Sequence, residues 1–221
     1  MSSSPVRCQF SAARLTASIF GVLSGLGGLL HGVGEILQGN VAPSGVVIDS
    51  WVQGPIATNM GGEPGMTIVP NLLITGILTV AVSMATIVWS IGFVQRKWGG
   101  RVLILLAGAM LLVGGGFGPP ILGILAGVAG LGVARRNAGW WARCRPGTRR
   151  FLARLWPWVF GVCVANGVFL VVGSVILVFA FDVNNPDLFT NSFFFAVLTL
   201  LLSIVTGTAR DVAASFAEDH A

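Results

Sequence analysis

Long apolar runs separated by short polar segments make up most of the chain. A helix of roughly 20 apolar residues crosses a bilayer, and backbone groups in lipid must be hydrogen-bonded within the segment. Since short alternating strands of the barrel type are not evident in the pattern, it predicts an all-α integral membrane protein, a bundle of about six transmembrane helices without a soluble domain. The predicted spans cover residues 15–37, 68–94, 102–116, 119–134, 158–181 and 191–208.

The apolar stretch 102–134 is interrupted by the turn Gly114–Pro120. Glycines permit a tight turn and prolines favour the start of a helix, so two short helices are expected here. Each is shorter than the roughly 30 Å hydrocarbon core requires. Two alternatives stay open. Either both arms cross the membrane as a hairpin, or 102–134 is one broken or re-entrant element and the bundle has five spans.

Charge orients the predicted bundle. Only 10% of the residues are charged and 54% are hydrophobic, whereas about a quarter of the residues of a soluble domain are charged. Basic residues flank the spans at the loop 96–101 and in the segment 135–157, and Lys and Arg near span ends stay cytoplasmic. The whole chain, 1–221, is therefore read as one membrane domain with both termini in the cytoplasm, in the plasma (inner) membrane of a prokaryote. Residues 38–67 form the predicted outer loop.

His31 and Glu35 are the most conspicuous ionisable pair within an apolar run. Four residues apart on a helix, they share a face, and the glycines beside them let another helix approach closely. Ionisable groups inside a membrane are costly and commonly functional. The pair could ligate a metal, relay a proton or serve as an acid and base. Alternatively, Glu35 only reaches the outer interface while His31 bonds a neighbouring helix.

Polar side chains of the second span and of the acidic outer loop are expected near the His31–Glu35 pair. On the second span they form a polar stripe. The expected outward-facing pocket combines His31 and Glu35 with Asn71 and Glu63, on the side of the Gly114–Pro120 turn. The stripe itself has two interpretations, a passage lining or a set of structural side chains that bond the preceding helical turn. It consists of Asn71, Thr75, Thr79, Ser83, Thr86 and Ser90.

The basic segment 135–157 contains tryptophans interspersed among its arginines. Trp is typical of the headgroup zone, and Arg binds lipid phosphates, so the segment is expected to contact anionic lipids at the cytoplasmic face rather than nucleic acid. The predicted lipid-interface residues are Trp140, Trp141, Arg143, Arg145, Arg149, Arg150 and Arg154.

Three functions are compatible with these patterns. The first is a small transporter or ligand-binding membrane protein with its site near His31 and Glu35. The second is a membrane enzyme that uses the same pair on an apolar or lipid substrate, and the third is an accessory subunit or homo-oligomer whose helices pack on a partner. No nucleophile motif or multi-histidine cluster is evident in the sequence, so enzymatic activity is the less favoured expectation. No cofactor is predicted, and His31 and Glu35 are weak metal candidates.

Overall fold

A computed structural model describes residues 11–131, 141 and 143–218. The chain is 77% helical with almost no sheet, which confirms the helical fold predicted from the apolar pattern. The helices are α1 (Ala12–Gln38), α2 (Gly54–Met60), α3 (Leu72–Gly92), α4 (Gly99–Leu112), α5 (Gly118–Gly130), α6 (Pro146–Val168), α7 (Ser174–Phe181) and α8 (Pro186–Glu218), and the strands are β1 (Val47–Asp49) and β2 (Pro64–Met66).

Four helices are long and apolar enough to cross a membrane. They are α1, α3, the continuous helix Pro146–Phe181 and residues Pro186–Phe216 of α8. The continuous helix joins α6 to α7 through a π-helical turn at Phe169–Gly173. The predicted hairpin corresponds to α4 and α5, which are apolar but shorter than the four long helices.

Helix α1 occupies the middle of the bundle and contacts α3, α4, α5, α6 and α8. Its first turn is capped by Asp211 of α8, whose carboxylate accepts from the Ser11 hydroxyl at 2.6 Å and from the Ala12 N–H at 2.7 Å. Such contacts satisfy backbone donors that a helix start leaves unpaired and favour negative charge at that end. Asp211 thereby fixes the first helix to the last.

Helices α1 and α3 pack at close range. An added β-carbon at Gly76 would lie 2.6 Å from the Gly32 carbonyl oxygen, so only residues without side chains permit this separation. Five residues of the polar stripe are buried in the bundle, and Thr86 and Ser90 donate to carbonyls of the preceding helical turn, as the structural interpretation expects. The buried residues of the stripe are Thr75, Thr79, Ser83, Thr86 and Ser90.

The apolar core lies around the N-terminal half of α1. Phe20 of α1 is fully buried together with Leu103 of α4 and Leu200 of α8. These side chains belong to one cluster that joins α1 to the short helices and to α6 and α8. The opposite half of α1 carries the polar pair and packs against the loop 38–67.

The loop 38–67 has its own structure. Strands β1 and β2 pair antiparallel, with Val47 opposite Met66 and Asp49 opposite Pro64, and α2 lies between them in sequence. The ribbon packs on the turn after α4, where an added β-carbon at Gly65 would meet the Gly114 carbonyl oxygen at 3.2 Å. The ribbon therefore closes one end of the bundle.

The basic segment differs in part from its prediction. Trp141 was expected at the lipid interface but is only 3% exposed, because it packs with Ala209 and Val212 of α8. Helix α6 begins at Pro146 instead of near residue 158, and Arg149 stacks on Phe216 at 4.3 Å. Of the predicted lipid-interface residues, Arg143, Arg145, Arg150 and Arg154 are exposed. Trp140 lies outside the described residues.

Candidate functional site

His31 is buried in the C-terminal half of α1 and has a polar partner on each ring nitrogen. Its Nδ1 lies 2.9 Å from the Ser50 Oγ, and its Nε2 lies 3.4 Å from Glu63 Oε2. Glu63 is about one-third exposed, whereas the imidazole is 5% exposed. The histidine thus joins a partly accessible carboxylate to a buried hydroxyl.

Glu35, one helical turn further along α1, is completely buried. Its Oε1 lies 3.3 Å from the Ser50 Oγ, and its Oε2 accepts from the Thr79 hydroxyl at 3.2 Å. Thr79 also lies 2.5 Å from the Val113 carbonyl oxygen. Glu35 therefore does not reach the outer interface, and the interpretation that it does so is wrong. The side chains of Glu63, His31, Ser50 and Glu35 form one continuous series of polar contacts, an ion-pair contact followed by two hydrogen bonds, hereafter the polar chain.

The ribbon brings Ser50 and Glu63 together. The Ser50 N–H donates to the Glu63 carbonyl at 3.2 Å, and the Trp51 N–H donates to the Gly62 carbonyl at 3.0 Å, so the strand pairing continues beyond β1 and β2. Glu63 has a φ of 54°, a left-handed conformation that is uncommon for residues with a β-carbon. This backbone holds both side chains over His31.

The turn between α4 and α5 forms the opposite wall. Gly114 and Gly116 have φ values of 110° and 74°, and added β-carbons there would collide with Glu35 and the His31 ring, respectively. Glycine is required at both positions, by backbone conformation and by space. The expected proximity of the Gly114–Pro120 turn to the His31–Glu35 pair agrees with this geometry.

A cavity of about 270 Å³ lies beside the polar chain, between α1, α2, α5, the continuous helix and α8. Its wall is mostly apolar and includes Leu30, Leu122, Val171 and Phe193. His31 and Glu63 contribute to the lining, whereas Ser50 and Glu35 lie behind it. Apolar cavities with few convergent polar groups are the usual form of small-molecule sites.

Asn71 does not join this site. It caps the start of α3, where its side chain accepts from the Ile74 N–H at 3.1 Å and donates to Asn40. The prediction that Asn71 lines the pocket is therefore wrong. Helical spacing placed it on the stripe, but it lies before the first turn of α3, with an N-cap conformation that directs it to its own helix.

Ser50 and Trp51 were missed by the sequence analysis. A lone Ser in a loop rich in Gly and Pro has no distinguishing spacing, and the pairing that brings it to His31 joins strands on either side of α2. The apolar triplet before Asp49 is the one local signal of a strand. It points to the ribbon but not to the role of Ser50.

The arrangement can hold or transfer a proton, because a histidine, a hydroxyl and two carboxyl groups are linked in series. Among the described residues, no three or more His, Cys, Asp or Glu side chains are grouped so that they could hold a metal ion. Ser50 is fully buried, so its hydroxyl is not presented to the cavity. Comparison of the chain with models of known families, with curated proteins and with solved structures gives no match.

Proposed function

We propose that this chain is a multi-pass membrane protein that binds or transports a small amphipathic molecule in the cavity beside His31. The observation that carries the proposal is the apolar cavity with the His31–Glu63 pair in its wall. The transfer of an apolar tail from water into the apolar cavity is favourable. A polar end of the ligand meets His31 and Glu63, which can accept or donate a hydrogen bond.

The proposed topology has six passes with both termini in the cytoplasm and the cavity open toward the outside. Charge segregation supports it. Arg14 lies 3.5 Å from Gln95 next to the basic loop, and Arg210 stacks on Trp156 in α6, so basic residues gather at one end. The acids Glu63 and Asp182 lie with the ribbon and α2 at the other end. This asymmetry follows the positive-inside rule. It also suits the plasma membrane of a prokaryote.

Exposed arginines at the basic end support binding of anionic lipids. Arg145 and Arg150 are exposed near the start of α6, and Arg154 follows one turn later. Each basic residue near an anionic surface contributes about 1 kcal/mol of attraction. The same end offers no argument for nucleic acid, because α6 continues directly into an apolar helix.

Filling the cavity tests the proposal. Val171 lines the cavity, whereas its neighbour Val172 is 48% exposed and lies outside the lining. The variants Val171→Trp and Val172→Trp therefore make the same change in and out of the cavity. The measurement is calorimetric titration of the full chain, in nanodiscs of zwitterionic lipid, with decanol, decyl sulfate and decyltrimethylammonium.

The proposal predicts saturable binding of at least one of these probes. Val171→Trp abolishes that binding, and Val172→Trp retains it. Equal binding to both variants would indicate nonspecific partitioning into the nanodisc and would contradict the proposal. Gel filtration and thermal unfolding of each variant accompany the titration and show whether its fold is retained.

A membrane enzyme acting on an apolar substrate is the second candidate, favoured by the polar chain that ends at the cavity. His31 can exchange a proton with a bound molecule while Glu35, behind Ser50, supplies or receives one. This candidate requires turnover that is lost in His31→Ala under conditions in which the probe still binds. Binding without turnover of any cavity-dependent ligand favours the first candidate. An accessory subunit would show neither and would co-purify with a partner.

A further inference from the structure

The ionisable side chains that line the cavity, among the described residues, are those of His31 and Glu63. Glu63 is the acidic residue in the lining, and none of the described Lys or Arg residues contributes to it. Aromatic side chains line much of the remaining wall. A carboxylate together with aromatic rings is the combination that recognises ammonium groups. The aromatic lining residues are Trp51, Phe117, Phe189, Phe193 and Phe194.

The polar chain can hold its protons in two arrangements. The Ser50 hydroxyl has a single proton and two partners, His31 Nδ1 and Glu35 Oε1. Because His31 Nε2 faces the Glu63 carboxylate, this nitrogen carries a proton in both arrangements. In the first, His31 is an imidazolium that donates to Ser50, which donates to an ionised Glu35. In the second, a protonated Glu35 donates to Ser50, which donates to a neutral His31.

One proton step interconverts the two arrangements. The N–H bond at His31 Nδ1 breaks as that proton passes to the Ser50 oxygen, and the original Ser50 proton passes to Glu35 Oε1. No proton enters or leaves the polar chain. In the first arrangement the Glu63 charge beside the cavity is neutralised by His31, and in the second it is free. The step therefore changes the charge presented to the cavity by one unit.

We infer that the cavity takes amphiphiles with a cationic headgroup, with the ammonium paired to Glu63 and the His31 proton moved through Ser50 to Glu35. The inference rests on the proposed ligand-binding function and specifies the ligand. A cation beside Glu63 repels an imidazolium 3.4 Å from the same carboxylate. Moving the proton to Glu35 removes that repulsion and leaves the buried carboxyl uncharged, which avoids an unpaired charge in the interior. An anionic headgroup would instead meet the Glu63 charge.

The headgroup series tests the ligand class. The full chain in nanodiscs of phosphatidylcholine is titrated with decyltrimethylammonium, decanol and decyl sulfate, which share one tail. The inference predicts that the ammonium binds about tenfold or more tighter than the sulfate, the size expected for one charged partner. Glu63→Gln removes this preference. Asp49→Asn is the matched control, because Asp49 is an exposed acid on the same ribbon and outside the cavity.

The outcomes separate the two proposals. If none of the probes binds saturably, the proposed function fails. If all three bind with equal affinity, the function stands and the inference fails, as it does if Asp49→Asn abolishes the preference and Glu63→Gln does not. The wild-type series alone decides the ligand class if Glu63→Gln does not fold.

The proton position is tested spectroscopically in the complex. The chain has two histidines, so ¹⁵N-histidine NMR of a His220→Gln protein reports on His31 alone. With decyltrimethylammonium bound, the expected shifts are those of a neutral imidazole. The infrared spectrum is expected to contain a protonated-carboxyl band that Glu35→Gln lacks. Imidazolium shifts in the complex would overturn the proton step.

Discussion

His31 Nδ1 lies 2.9 Å from the Ser50 Oγ, a hydroxyl that comes from the loop and not from a neighbouring long helix. The same oxygen lies 3.3 Å from Glu35. A single loop residue thus connects the buried ionisable side chains of α1, His31 and Glu35. The loop 38–67 is therefore part of the site.

Removal of the Ser50 hydroxyl is expected to destabilise the fold. Ser50→Ala leaves a buried ring nitrogen and a buried carboxyl oxygen without this partner, and an unsatisfied buried group costs about 1–3 kcal/mol. Thermal unfolding in a neutral detergent measures the effect. Ser44→Ala is the control, because Ser44 is exposed in the same loop. Equal unfolding temperatures for both variants would argue against a structural role of the shared hydroxyl.

The turn against His31 is expected to tolerate only glycine. Gly116→Ala introduces a β-carbon within 2.7 Å of His31 Nδ1 at a backbone φ of 74°, and a non-glycine residue in such a conformation costs of order 1–3 kcal/mol. The variant should unfold at a lower temperature than the wild type. Gly108→Ala in α4, where no atom lies within 4 Å of the added carbon, should be neutral. Similar losses at both positions would contradict this explanation.

The α1–α3 contact gives a second matched pair, on one helix. Gly76→Ala forces α3 away from α1, since the added carbon would lie 2.6 Å from the Gly32 carbonyl oxygen. Gly92→Ala meets open space and replaces glycine by a better helix former. We expect a lower folded yield and unfolding temperature for the first variant and unchanged or higher values for the second. An unchanged folded yield and unfolding temperature for Gly76→Ala would show that α1 and α3 can separate without loss of stability.

Cysteine labelling tests the proposed orientation. Phe117→Cys and Asn185→Cys, in a background without the native cysteines, are expected to react with a membrane-impermeant maleimide added from outside. Arg101→Cys in the basic end is expected to react only after permeabilisation. The native residues Phe117 and Asn185 are exposed, so burial does not block the reagent. An unreactive Phe117→Cys with a reactive Asn185→Cys would favour a re-entrant α4–α5 hairpin.

The sequence was sufficient to predict the long helices and the helical spacing of the polar stripe. Apolar runs of membrane length and the recurrence of Thr75, Thr79 and Ser83 at helical spacing are local signals. The four-residue spacing of His31 and Glu35 was likewise enough to place them on one face. These inferences needed no knowledge of distant contacts.

Distant pairing explains what the sequence did not reveal. Ser50 reaches His31 because the ribbon pairs it with Glu63 across α2, and nothing in the local pattern specifies that register. Asn71 was assigned to the pocket by periodicity, but a helix start has its own hydrogen-bonding requirement. Trp141 was assigned to lipid by composition, although α8 offers it an apolar surface.

Photoaffinity labelling with a decyltrimethylammonium derivative that carries a diazirine on its tail tests the central claim, occupation of the cavity. Labelled residues are mapped by mass spectrometry with and without excess unlabelled decyltrimethylammonium. If the ligand occupies the cavity, the label concentrates on the cavity residues Phe117, Val171 and Phe193, and the competitor removes it. Label spread over the exposed α3 residues Ile77 and Val88, and unaffected by the competitor, would contradict it.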